Sequence, residues 1–227
     1  MDIQSIVIQI FVVLFAITVH EASHGWAAHK MGDPTAYASG RVTLNPLAHI
    51  DPIGTILMPI VLYVGSGGRF TFGWAKPVPV NPYNLRHPRR DNLWISFAGP
   101  AANLSVATVS LLVVLLIKAI RPRAILFLAA FLNQRQLSGG FGPLEGVVLV
   151  LFFFIVVNTY LAVFNLIPVP PLDGSHLLDA VLPPRLSWSY ARLRPYGIFI
   201  LFGLIWIGFF GYILSPFLHA LSWILLS

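Results

Sequence analysis

Val19-His20-Glu21-Ala22-Ser23-His24-Gly25 closes the first apolar run of the chain, Ile3 to Val19. The pattern is H-E-x-x-H. On a helix, residues four apart lie one turn apart on the same face, so His20 and His24 can present both imidazoles to one point. Imidazole nitrogens bind Zn²⁺ at about 2.0–2.1 Å. Glu21, adjacent, can take a proton from an attacking water. Ionisable side chains at the end of an apolar run are expensive and mark function more often than packing. The run raises His20 by about 26 Å of helix at about 1.5 Å per residue. Against a hydrocarbon core about 30 Å thick, His20 is expected a little below one membrane surface. Gly32-Asp33-Pro34 should end the helix.

A catalytic zinc needs a third protein ligand and an open position. The extended motif with a third His fails, because positions 27 and 30 are Ala27 and Lys30. The other Glu is Glu145, at the far end of a later apolar run. Among the aspartates, Asp173 stands out in Asn165-Leu166-Ile167-Pro168-Val169-Pro170-Pro171-Leu172-Asp173-Gly174, directly after that run. Its three prolines must break the helix. Non-helical backbone at membrane depth survives only where protein buries it or where it lines a cavity. Gly174 permits a turn just past the carboxylate. The alternative is that Asp173 merely caps a helix from Ser175 to Leu182.

These two motifs together resemble the site-2 proteases, a family of intramembrane zinc metalloproteases. Gly40 to Gly54, Phe72 to Pro82 and Ala98 to Asn103 are similar to the compact prokaryotic form, so the resemblance covers most of the chain. It implies one Zn²⁺ per chain held by His20, His24 and Asp173. It implies Glu21 as the general base and Asn165 as a residue that holds the substrate or its reacting carbonyl. Asn165 has a second reading, bonding backbone freed by Pro168. No stretch is long enough for an added PDZ or CBS domain, so residues 1–227 read as a single intramembrane protease domain.

Composition agrees. The chain is 57% hydrophobic and 10% charged, with a mean hydropathy of +0.80, far from soluble norms. Its net charge of +6 is explained by loops that set topology rather than by nucleic acid. Absent cysteine excludes disulfides. Asp2 and the lack of Lys or Arg before the apolar run argue against a cleaved signal peptide.

The fold expected is an all-α polytopic membrane bundle with about four strong transmembrane helices, short re-entrant or interfacial segments, and small β elements in the 35–92 loop. The strong spans are Ile3 to Val19 with its extension, Leu93 to Ile117, Gly146 to Leu166 and Tyr196 to Leu214, with Pro216 ending or kinking the last. Ser39 to Leu44 and Arg69 to Val80 read as short strands or extended loops. Ala124 to Leu132 reads as interfacial, and Ser138 to Pro143 as a loop. Ile53 to Val64, broken by Pro59, is too short for a comfortable span and reads as re-entrant or surface-lying. If it crossed, Asp173 would emerge opposite His20 unless a second crossing such as Ala124 to Leu132 compensated. Without a crossing, ten of the fourteen Lys and Arg fall on the active-site face, which the positive-inside rule makes cytoplasmic.

Among the other histidines, His176 is the main rival ligand. His29 lies off the His24 face, and His87 and His219 read as surface residues. His49 and Asp51 read as loop formers, with a supporting role at the site as the alternative. The partners expected are a transmembrane protein substrate and the lipid bilayer. Two other functions fit the residues: a metal-binding membrane transporter, which would not need Glu21, and an inactive scaffold of the same fold, against which the intact Glu21 argues. Substrate identity and oligomeric state are not legible.

Overall fold

A computed structural model describes residues 3–67, 73–132 and 142–226. It is 79% helix with no strand among the described residues. Among the described residues, four helices are long and apolar enough to cross a membrane: Ile6–Lys30, Pro88–Ile120, Pro143–Asn165 and Phe209–Leu226. The chain forms two compact units, Leu14–Ala102 and Met1–Val13 with Asn103–Ser227.

In Leu14–Ala102, the helix α1 (Ile3–Lys30) carries the His pair. It ends at Gly32, whose φ of +109° suits glycine. Ala27 and Ala28 pack on Leu85 and Ile95. Asp33 is fully buried and accepts from Thr35 N at 3.1 Å, Asn81 N at 2.7 Å and Asn84 Nδ2 at 2.8 Å. It thereby ties the end of α1 and the short α2 (Thr35–Ala38) to residues 81–84. The expected Ile53–Val64 segment is a π-helical stretch, Pro52–Leu57, continued by α3 (Met58–Gly65). Asp51 starts it by accepting from Ile53 N and Gly54 N. At about 1.5 Å per residue this piece falls short of a hydrocarbon core of about 30 Å.

The β elements expected in the 35–92 loop are absent from the described residues; Arg69–Phe72 lie outside them. Residues 73–81 pair with no strand among the described residues. The N–H groups of Trp74, Lys76 and Val78 donate to Gly54 O, His49 O and Glu21 Oε2. Pro77 and Pro79 have no N–H to offer the opposite side. Three single acceptors on three elements cannot make a ladder.

The helix α4 (Pro88–Ile120) begins in this unit and continues into the other. In Met1–Val13 with Asn103–Ser227, α5 (Pro122–Leu132) and α6 (Pro143–Asn165) pack with the end of the chain around Leu128, Leu149, Ile155 and Leu225. The segment expected as interfacial packs one face into this core: Ala124, Ile125, Phe127 and Leu128 of α5 are all buried. An apolar helix eleven residues long buries its face against neighbours more readily than it spans. Most of the expected loop Ser138–Pro143 lies outside the described residues. Asn103 Nδ2 donates to Asn158 Oδ1 at 2.8 Å, a buried interhelical bond between α4 and α6.

After α6 come α7 (Asp173–Val181), α8 (Pro184–Ala191), α9 (Gly197–Trp206) and α10 (Phe209–Leu226). The span expected over Tyr196–Leu214 is broken. Gly208 takes φ +75° and ends α9, while Ile207 N bonds Gly203 O, a glycine helix stop. Pro216 sits inside α10 without ending it. The carbonyl it leaves without a helical donor is that of Tyr212, and Ser215 Oγ donates to it at 3.3 Å.

Candidate metal centre

His20 and His24 are buried on one face of α1, 5% and 9% exposed. Their Nε2 atoms are 3.0 Å apart. His24 Nδ1 is 2.7 Å from Ile95 O. A carbonyl oxygen only accepts, so Nδ1 carries the proton and Nε2 of the neutral ring presents its lone pair. Two nitrogens bound to one zinc at about 2.0–2.1 Å and a tetrahedral angle stand roughly 3.3 Å apart, so the pair fits a shared cation. A Cβ on Gly99 would lie 2.4 Å from His24 Nε2 and 2.7 Å from His20 Nε2. The α4 backbone thus closes over the two ring nitrogens as only glycine allows. Glu21 is half-buried, and its Oε2 accepts from Val78 N at 3.1 Å. That bond fixes the carboxylate and leaves Oε1 for a water.

In the other unit, α6 ends at Asn165, and Pro168 to Pro171 turn the chain into α7. The residue capping α7 is Leu172, whose side chain makes no cap hydrogen bond. Asp173 lies in the first turn and is not the cap, against that alternative. Gly174 serves closeness rather than a left-handed turn, since a Cβ there would meet Leu166 O at 2.3 Å. Asn165 Nδ2 donates to Leu161 O at 2.9 Å. The carbonyl that Pro168 cannot reach, Phe164 O, accepts from Ile167 N at 3.2 Å instead.

The model of peptidase family M50 matches residues 8–207. The chain belongs to this family, that of the site-2 proteases. Membership makes it a zinc metalloprotease by class and, with its four apolar helices, a multi-pass membrane protein. It is 35% identical over 212 residues to the "Putative zinc metalloprotease YwhC" of Bacillus subtilis (strain 168), covering 93% of this chain and 85% of that protein. It is 29% identical over 195 residues to the "Putative zinc metalloprotease Rip2" of Mycolicibacterium smegmatis, covering 82% of this chain and 62% of that protein. The counterpart in Mycobacterium tuberculosis (strain ATCC 25618 / H37Rv) is 28% identical over 189 residues, with 83% of this chain and 62% of that protein covered. This chain thus spans less than two thirds of the Rip2 proteins. No solved structure matches it.

The other histidines of this M50 chain are placed as follows. His29 stacks on Tyr37 at 4.7 Å. His49 is buried with Nε2 3.0 Å from Thr43 O. His87 and His219 are exposed, and His176 is half-buried on α7. Three parts of the site escaped sequence reasoning: Ile95 O, Val78 N–H and the bare Cα of Gly99. Two are main-chain atoms, which every residue carries. The third sat in Ala98-Gly99-Pro100, legible only as a place for close helix packing.

Proposed function

We propose that this chain hydrolyses peptide bonds of membrane-embedded proteins near the cytoplasmic face, with one Zn²⁺ held by His20, His24 and Asp173. The observation that carries the reading is the convergence of His20 and His24 Nε2, 3.0 Å apart, beside Glu21 on one helix. Two imidazoles and a carboxylate are the donor types that a catalytic zinc takes, with a fourth position left open. When bound, Zn²⁺ polarises the scissile carbonyl and acidifies a water. Glu21 accepts that water's proton and passes it to the leaving amine. Ile95 O holds the His24 ring in the ligating tautomer. Asn165 orients the substrate, with one amide N–H committed to Leu161 O and its other N–H and carbonyl oxygen turned to substrate backbone. A transmembrane helix hides its amides, so the substrate must present an extended segment. The ten-to-four bias of Lys and Arg supports a cytoplasmic site.

Zinc per chain, measured on purified protein, and accumulation of uncleaved membrane peptides in cells test this together. Replacing His20, His24 or Asp173 by Ala should empty the site. Glu21→Gln should retain zinc and lose about 10²–10⁴-fold in cleavage. Full zinc in Asp173→Ala would remove Asp173 from the ligand set, and turnover by Glu21→Gln would remove Glu21 as the base.

A further inference from the structure

Arg41 is a buried cation, 6% exposed. Among the described residues its guanidinium meets main-chain carbonyls rather than a carboxylate: Nη2 donates to Lys76 O and, at 3.3 Å, to Pro77 O. Its Nε is buried without a hydrogen bond. Burying a guanidinium is costly, and carbonyls alone compensate it poorly. A neutral side chain could tie two loops together at less cost, so the charge itself needs a reason.

Pro77 O belongs to the peptide group that joins Pro77 to Val78. The N–H of that same group donates to Glu21 Oε2 at 3.1 Å. One peptide unit therefore lies between the cation and the carboxylate, with its C=O toward Arg41 and its N–H toward Glu21. Both charges favour that orientation of the peptide dipole. Hydrogen bonds in series polarise one another, so a guanidinium on the carbonyl makes the N–H a stronger donor.

The surrounding segment is fastened independently of Arg41. Trp74 N bonds Gly54 O at 3.1 Å, Lys76 N bonds His49 O at 3.0 Å, and Asn81 N bonds Asp33 Oδ2 at 2.7 Å. Gly25, directly after His24, lets the segment approach α1: a Cβ there would lie 3.1 Å from Val42 Cγ2 and 3.3 Å from Val78 Cγ1. With both flanks tied and the side chain of Val78 seated, what remains for Arg41 is the tilt and polarity of one peptide.

We propose that Arg41 is a positioning residue for Glu21, acting through the Pro77–Val78 peptide. This rests on the reading of Glu21 as the general base. Arg41 holds the N–H that fixes Oε2, and so sets the direction in which Oε1 meets the attacking water.

The test is a double-mutant cycle on the full chain in proteoliposomes. Arg41→Gln removes the charge, Arg41→Lys keeps it, and Val78→Pro removes the N–H in a segment that already holds Pro77 and Pro79. Val78→Ala controls for lost packing. Arg41→Gln should lower kcat about tenfold with KM and zinc content unchanged, as removal of an interaction felt in the transition state does. Arg41→Lys should recover most of the loss. Combined with Val78→Pro, Arg41→Gln should cost nothing further. Losses that multiply, a raised KM with kcat kept, or loss of zinc would overturn the proposal. If Arg41→Gln does not fold, the Arg41→Lys and Val78→Pro pair decides by the same criterion: any loss on Arg41→Lys must vanish in the proline background. Turnover by Glu21→Gln would instead overturn the base assignment itself, whereas multiplying losses beside a dead Glu21→Gln would overturn only the role of Arg41.

Discussion

The Cα of Gly99 faces the Nε2 of His24 so closely that a Cβ there would stand 2.4 Å away. The atom in the way is a ring nitrogen held from behind by Ile95 O, so it cannot step aside without giving up its tautomer. Gly99→Ala should therefore leave α4 helical and weaken zinc. A loss of about ten- to a hundredfold in zinc affinity is expected, the range seen when groups around metal ligands are disturbed. Competition with a chromogenic chelator measures it, and circular dichroism checks the helices. Unchanged affinity would mean that the His pair does not need the position it holds.

Asp33 offers a pH test away from the metal. Burial pushes its carboxyl up, but hydrogen bonds from Thr35, Asn84 and Asn81 outweigh this and hold it below the ordinary carboxylate range. A depressed carboxylate stabilises the fold above its unfolded pKa, near 3.9, and loses that contribution as pH falls through the folded value. Asp33→Ala leaves Thr35 N, Asn81 N and Asn84 Nδ2 without their acceptor and should cost about 2–4 kcal/mol at neutral pH. The gap between the two proteins, followed by thermal melts in detergent, should hold down to about pH 5 and narrow below about pH 4. A gap unchanged at pH 3 would show that the hydrogen bonds do not need the charge.

Orientation can be read with single cysteines, since the chain has none of its own. A cytoplasmic site predicts that Cys at Asn84 and at Ser189 resists a membrane-impermeant reagent applied to intact cells. Cys at Gly142, at the opposite end of the α6 span from Asn165, should react. Labelling at Asn84 alone would mean that Pro52–Gly65 crosses the membrane after all. Labelling at Asn84 and Ser189 with Gly142 protected would reverse the whole orientation.

Much of this protein was legible in order of residues alone. His20, Glu21 and His24 sit four positions apart or closer, and helix periodicity places them on one side of α1 without any other part of the chain. Lengths of apolar runs marked three of the four span-forming helices, because hydrophobicity summed over about twenty residues is a local property. It misplaced the last, where Ile207 and Gly208 look as apolar as their neighbours and only the backbone turn at Gly208 separates α9 from α10. The buried face of α5 was not legible either, because its partners Leu149, Ile155 and Leu225 are distant in sequence.

Tertiary structure alone decided how the chemistry is held. The tautomer of His24 depends on a carbonyl seventy-one residues away, and the carboxylate of Glu21 on a peptide N–H fifty-seven residues away. Neither partner has a side-chain signature, because every residue carries those atoms and only packing selects which one arrives. The run 73–81 shows the same division. Its composition marked it as β-forming, and the fold gave its N–H groups to Gly54, His49 and Glu21 instead of to a strand. Local sequence specifies which groups can ligate, donate or turn; long-range packing specifies which of them meet.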